Sequence, residues 1–231
     1  MNIHSYLHPV SRPQRRGSII SSRSISNDKY HRILEAAVKV FARQGFHQST
    51  VSQIAREAGV ADGTIYLYFK NKEDILVQFF SYKTRLVFDR FREAVDLADN
   101  SVDKLRRLIR RHLEEFQQDR DMAVVYCTET HQNRRLAEAQ IREMSKMYLD
   151  LVAEIVERGQ QEGRIRKDLY VGLVKRFILG AVDEVIHTWL HAEGKYDLPS
   201  MAEPLVDLFI RGIGCSPRPG AETQQDTGEG P

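Results

Sequence analysis

The sequence predicts an all-α protein with a small helix-turn-helix unit ahead of a larger helical domain. Seven prolines and fourteen glycines among 231 residues leave long unbroken stretches, and these repeat their apolar residues with the helical period of 3.6 rather than with the alternation of strands. Residues 50–76 compress two short helices, a glycine turn and the start of a third helix into one block. With 42% hydrophobic residues, the chain can bury the core of a small domain and of a larger one.

In that block, Thr50 followed three residues later by Gln53 forms a capping box, so a helix opens at Val51. Val51, Ile54, Ala55 and Ala58 share its buried face, and Gly59 supplies the left-handed residue that stops it. After Gly59 and Val60, steps of 100° bring Ile65 and Phe69 together as the core anchors of a second short helix. Gly63, Thr64, Leu67 and Tyr68 fall on the opposite arc, with Tyr66 on the flank. Small residues such as Gly63 and Thr64 permit close approach to base edges, and the hydroxyls of Tyr66 and Tyr68 suit phosphates. A third helix opens at Asn71, with Asp74 in the answering position. It carries Lys72 in its first turn, where the macrodipole disfavours a cation; a nearby phosphate explains this, and so does an offset by Glu73 and Asp74.

Further helices are predicted over about 71–98, 101–118, 121–133, 135–162, 168–191 and 199–213, punctuated by Gly163, Gly194 and Pro199. Val171, Val174, Ile178, Val182 and Val185 form an apolar seam along the helix over 168–191. Large apolar residues of the middle helices, Met144 among them, fit plain core as well as a pocket wall. Arg106, Arg107, Arg110 and Arg111 form a dense basic cluster, either a solvated face balanced by Glu114 and Glu115 or a phosphate-binding rim. The candidate ligand-site residues are Arg106, Leu108, Arg110, His112, Phe116, Val125, Tyr126, Met147, Tyr148, Leu151, Phe177 and Trp189.

Composition narrows the class. A net charge of +2 does not by itself announce nucleic acid, so local arrangement has to carry that reading. Residues 1–26 hold four arginines, seven serines and no acid, and are expected to be a disordered basic arm; Pro9, Pro13 and Gly17 spoil the amphipathic pattern of a transit peptide. Residues 215–231 read as a flexible tail. No apolar run of about 18 residues exists to span a bilayer. Two cysteines, Cys127 and Cys215, without a secretory signal fit a reducing cytoplasm. Glu184 and His187 have the spacing of a carboxylate-bridged metal motif, with His191 a turn further on, yet the second motif such a site needs is missing. An enzyme would need a nucleophile held by a base or paired carboxylates; His112, Glu115, Glu129 and His131 are scattered among charged neighbours. No enzyme activity, cofactor or metal is therefore expected.

Gly59, Val60, then Gly63 through Phe69 as GTIYLYF, then Asn71, Lys72 and Glu73 resemble the DNA-binding signature of the tetracycline-repressor (TetR) family. Tyr30, Ile33, Ala37 and Phe41, closed by Gly45 and Phe46, resemble that family's first helix, and residues 162–169 its connector before the dimer helices, which implies that the seam of Val171, Val174, Ile178, Val182 and Val185 pairs with a second copy in a four-helix bundle. The resemblance implies DNA contacts from Thr50, Ser52, Gly63, Thr64, Tyr66, Leu67, Tyr68 and Lys72. Ala61 departs from the Ser of many members, and Asp62 is the substitute cap. The implied architecture is a three-helix helix-turn-helix DNA-binding domain over 27–72 and a helical ligand-binding and dimerisation domain over 73–214. The implied partners are double-stranded operator DNA with a near-palindromic site, a second copy in a homodimer, and a small hydrophobic effector. Asp183, Glu184, Thr188, Trp189 and residues 195–198 narrow the resemblance to regulators of fatty-acid degradation that respond to long-chain acyl-CoA. The alternatives are a multidrug-sensing repressor of efflux genes with the same fold and an acyl-CoA-utilising helical enzyme.

Overall fold

The computed structural model describes residues 19–131 and 137–214, and side chains within 27–130 and 137–214. Along the chain run α1 (Ile19–Gln44), α2 (Val51–Ala58), α3 (Asp62–Ile65), α4 (Lys72–Asp96), α5 (Ser101–Gln118), α6 (Arg120–His131), α7 (Glu138–Gln161), α8 (Val171–His191) and α9 (Ala202–Ile213), with a 3₁₀ turn at Leu198–Met201. Among the described residues the protein is all-α; the one β-type contact is an isolated bridge between Ile165 and Gly214. No helix of the described residues is long and apolar enough to cross a membrane.

Local chemistry sets most boundaries. Thr50 accepts from the Gln53 N–H at 3.2 Å while its own N–H donates to Gln53 Oε1 at 2.8 Å, closing the capping box. Gly59, at φ 63°, ends α2 in the left-handed region. At α4, Asn71 Oδ1 accepts from the Asp74 N–H at 2.8 Å, and Asp74 accepts in return from the Lys70 N–H at 2.9 Å. The Asn100 side chain caps α5 through the Val102 and Asp103 N–H groups.

Three boundaries differ from expectation. α1 reaches back to Ile19, so the last eight residues of the expected arm are helical: beyond Gly17 nothing breaks a helix before Gly45. Residues 1–18 of that arm, and the expected tail from 215, lie outside the described residues. The Asp168 carboxylate is held by Arg166 at 2.6 Å and caps nothing, so α8 waits until Val171. The helix expected from 135 begins at Glu138.

Ile33, Ala37, Phe41, Ile54, Ala55, Ile65 and Phe69 fill the core of the N-terminal unit. α4 continues from it into the larger domain, burying Ile75, Leu76, Phe79 and Phe80 at one end and Phe88, Phe91 and Val95 at the other. α5 is the central post there, with Leu105, Leu108, Ile109 and Leu113 fully buried. The connector before α8 is pinned by Ile165, whose side chain fills the notch left by Gly159, and by the Arg166 N–H on Ile213 O at 2.9 Å.

The expected dimer seam requires correction. Val174, Ile178 and Val182 point into the protomer and are buried there; Leu173 and Phe177 stand out from the neighbouring stripe of α8, about 100° round the helix, and Leu208 stands out from α9. Both faces of α8 are apolar, and the inner one is taken by the protomer's own core.

Candidate DNA-reading face and ligand chamber

Ile65 and Phe69 are buried anchors of α3, as their spacing requires. Regular α-helix ends at Ile65, and the chain continues through a tighter turn in which Leu67 and Tyr68 donate to Thr64 O and Ile65 O. The outer face is open: Tyr66 is 60% and Leu67 80% exposed, and Thr50, Ser52 and Gly63 are exposed too. Two large exposed side chains thus stand on one short element with Gly63 beside them. Thr64 and Tyr68 are half-buried, the Tyr68 ring leaning toward Tyr30 at 6.5 Å.

Asp62 does not replace the missing cap. Ala61 occupies the N-cap position without a side-chain bond, and Asp62, in the first helical position, accepts the Ser52 hydroxyl proton instead. Ser52 therefore ties α2 to α3.

Lys72 also departs from expectation. Its ammonium donates to Phe46 O at 2.7 Å and Ser49 O at 2.8 Å, lies 3.4 Å from His47 O, and sits 4.4 Å over the Phe46 ring. The carbonyls of the α1–α2 loop thus solvate the helix-start ammonium, in place of an ion pair with Glu73 or Asp74. Lys72 straps α4 to that loop. Lys72→Ala is expected to lower stability by about 2 kcal/mol, because two half-buried carbonyls lose a charged donor. Operator affinity should drop by a similar factor for every sequence as the loop loosens. Thermal melts and binding to two unrelated operators check both parts.

In the larger domain the structure brings together four candidate ligand residues, His112, Phe116, Tyr126 and Tyr148. Val87, Phe88 and Phe91 of α4, Met144 of α7 and Leu179 of α8 complete the wall of a chamber of about 30 Å³. The His112 ring lies 5.3, 5.0 and 4.9 Å from those of Phe91, Phe116 and Tyr148. Tyr126 and Ser145 also border a cleft of about 510 Å³ lined by Thr130, Glu138, Ile141, Arg142 and Asp183, so chamber and cleft adjoin.

The other candidates lie elsewhere. Leu108, Val125 and Leu151 are core and line neither space. Met147 lies on the outer side of α7, one turn beyond Met144. Phe177, 61% exposed, belongs to the outer face of α8. Trp189 is buried and donates its indole N–H to Tyr196 O at 2.9 Å, packing on the turn at Gly194. Arg106 reaches Glu203 of α9 at 3.0 Å, whereas Arg107, Arg110 and Arg111 face Arg90 of α4 across a groove of about 400 Å³. The α4 residues and Ser145 escaped the sequence reading; the run of Thr84, Phe88, Phe91 and Val95 along one buried face was the available signal.

Two polar groups of the chamber wall are left unpartnered. His112 Nδ1 and the Tyr148 hydroxyl are buried with no hydrogen-bond partner among the described residues. Burial, then the nearby Asp183 charge, raises the Tyr148 and Tyr126 hydroxyls above their ordinary range. The same two causes push the Cys127 thiol up to about 12, leaving it protonated and a poor nucleophile. Glu115 is engaged by Arg90 and Arg111, and burial raises the Glu129 carboxyl. On α8, Glu184 accepts from the Thr188 hydroxyl at 3.3 Å, and His191 Nδ1 lies 2.9 Å from His187 O.

Burial alone lowers the His112 imidazole to about 3. The unfolded chain takes up this proton near the ordinary value of 6.5, while the folded chain does not. Stability from this group is therefore intact above about pH 6.5 and falls by about 1.4 kcal/mol per unit as pH drops toward 3. Between pH 7 and about pH 5 the loss should be about 2 kcal/mol, and His112→Phe should abolish that part of the slope in paired denaturant melts.

A family model described as "Bacterial regulatory proteins, tetR family" matches residues 33–79, and one described as "YsiA-like protein, C-terminal region" matches residues 80–212. The "Fatty acid metabolism regulator protein" of Bacillus subtilis (strain 168) is 40% identical over 185 residues, covering 80% of this chain and 95% of its own. Two solved structures are similar. The fatty acid degradation regulator FadR from Bacillus halodurans has a TM-score of 0.76 and 36% identity, covering 86% of this chain and 98% of its own. The transcriptional regulator FadR from Bacillus subtilis in complex with stearoyl-CoA has a TM-score of 0.74 and 40% identity, covering 80% and 99%.

Proposed function

The chain belongs to the tetR family of bacterial regulatory proteins, and on that premise we propose a ligand-responsive repressor of fatty-acid metabolism genes that a long-chain acyl-CoA releases from its operator. The observation that carries the reading is that one helix serves both sites. α4 contributes Val87, Phe88 and Phe91 to the chamber, and its first residue, Lys72, straps it to the loop ahead of α2. A chamber of about 30 Å³ is far smaller than the sites that hold organic ligands, so an acyl chain fills it by moving its walls. Moving α4 re-aims α2 and α3. The ligand thereby favours the state with weaker operator affinity, and by linkage the operator weakens ligand binding by the same factor.

DNA contacts are assigned to the exposed Thr50, Ser52, Gly63, Tyr66 and Leu67, with Thr64 and Tyr68 at the edge of the face and Lys72 acting through the loop. The DNA-binding domain closes near residue 72, and the rest binds ligand and a second copy. Leu173 and Phe177 of α8 and Leu208 of α9 form the apolar ridge for that copy. Two recognition elements about 34–36 Å apart then read a near-palindrome. The setting is the cytoplasm, and no enzymatic step is assigned.

A second reading has one observation in its favour: Asp183 beside an aromatic chamber suits amphipathic cations. A thermal-shift panel of stearoyl-CoA against cationic drugs decides between them. At about 100 times its dissociation constant the true effector adds about 2.7 kcal/mol, or roughly 5–10 °C for a chain of this size. Stabilisation by cations and none by stearoyl-CoA overturns the acyl-CoA reading.

A further inference from the structure

We propose that His187 and His191, at the C-terminal end of α8, form a site for one divalent cation of the zinc, nickel and copper class. Neither residue lines the chamber or the cleft beside Ser145, and both lie at the far end of α8 from Leu173 and Phe177.

Histidines four residues apart stand one above the other on a helix, the spacing with which two imidazoles share an ion. Here the two rings already meet, with centroids 4.3 Å apart and planes at 63°. His191 is exposed and His187 half-buried, so solvent reaches the pair. The ring of His191 is also oriented. Its Nδ1 lies 2.9 Å from His187 O, and because a carbonyl only accepts, Nδ1 carries the hydrogen and leaves Nε2 to bind an ion. A backbone carbonyl behind one ring nitrogen is the outer-shell support that metal-binding histidines use. His187 has two ring nitrogens, so one can keep a polar neighbour while the other takes the ion.

Electrostatics favour a cation at this end of the helix. The last carbonyls of a helix carry partial negative charge, and α8 ends at His191. Asp183 and Glu184 lie one turn before His187, and Glu193 follows shortly after His191. The nearest basic side chain in sequence, Lys195, is paired with Glu193 at 3.5 Å. Among the described residues no group of three or more histidines, cysteines and carboxylates gathers at one point, so water fills the remaining coordination positions. The carboxylate-bridged two-metal motif set aside on sequence needs a second such motif; one ion on two imidazoles does not. Imidazole ligands suit late first-row cations, whereas magnesium and calcium take oxygen. The bound ion would span one turn and brace the end of α8 ahead of the left-handed residues Glu193 and Gly194.

The test is titration of the untagged, metal-stripped full chain with zinc chloride in competition with a chromophoric chelator. Wild type is compared with His187→Gln, His191→Gln and the double variant, which keeps every other histidine and both cysteines. One zinc per chain is expected, with nickel competing for it and magnesium not. Loss of an outer-shell partner alone costs about 10–100-fold in metal affinity, so each single substitution should cost at least about tenfold and the double one should abolish binding. Saturating zinc should raise the wild-type melting temperature by roughly 5 °C and leave that of the double variant unchanged. An unaltered metal-free melting temperature certifies the fold of the variants; if it is lowered, His187→Ala and His191→Ala replace them. No binding of zinc or nickel by the wild type, one ion per two chains, or unaltered binding in the double variant overturns the site. The acyl-CoA reading stands whichever result is found.

Discussion

Replacing Gly63 by leucine is expected to reduce operator affinity at least about a hundredfold while leaving the protein as stable as before or slightly more so. Gly63 does not have the left-handed backbone that demands glycine, and a Cβ built there meets nothing within 4 Å. The free protein therefore accommodates a side chain, and leucine is the better helix former by about 0.8 kcal/mol. Operator DNA is what cannot accommodate it. If α3 lies in the major groove with Gly63 against base edges, four added carbons displace the backbone and its neighbours Thr64 and Tyr66 from their partners. Single-contact losses in such interfaces run about 1–3 kcal/mol, and here they are incurred once in each protomer. Fluorescence anisotropy on operator DNA, paired with a thermal melt, checks both halves; wild-type affinity in a folded Gly63→Leu protein would place the reading face elsewhere.

The second large effect is expected from Ser145→Trp, a repressor blind to its effector. Ser145 stands where the cleft of about 510 Å³ adjoins the aromatic chamber, and the cleft has room for an indole. Filling that junction takes volume an acyl chain needs and braces α7 against movement of the chamber walls. Operator binding should persist, while stearoyl-CoA, which should weaken the wild type by about tenfold or more, should change the variant's affinity by a factor of about one. Retained release by stearoyl-CoA would exclude this junction from the ligand's path.

Local features were legible in the sequence. The Thr50 and Gln53 box, the Gly59 stop, the Asn71 cap and the inward pair Ile65 and Phe69 each depend on residues a turn or two apart. What escaped depends on contacts distant in sequence. The role of Lys72 required knowing that its partners lie 23 to 26 residues upstream, where the α1–α2 loop folds back beneath α4. On α8, two apolar stripes 100° apart compete for the inside, and only packing decides that Ile178 is buried and Phe177 is not. The same rotation separates Arg106, turned to Glu203, from Arg107 in the groove. His112, Phe116, Tyr126 and Tyr148 were found because large side chains on the central helices converge, yet their α4 partners were hidden in a stripe that serves the core along its whole length.

The central claim is that chamber and reading face are coupled through α4. It is tested most directly by the operator affinity of the wild-type protein with and without saturating stearoyl-CoA, measured by fluorescence anisotropy at fixed salt. The expected result is a loss of about tenfold or more, corresponding to a coupling of roughly 1.4 kcal/mol. An operator affinity that stays the same while stearoyl-CoA is demonstrably bound would contradict it.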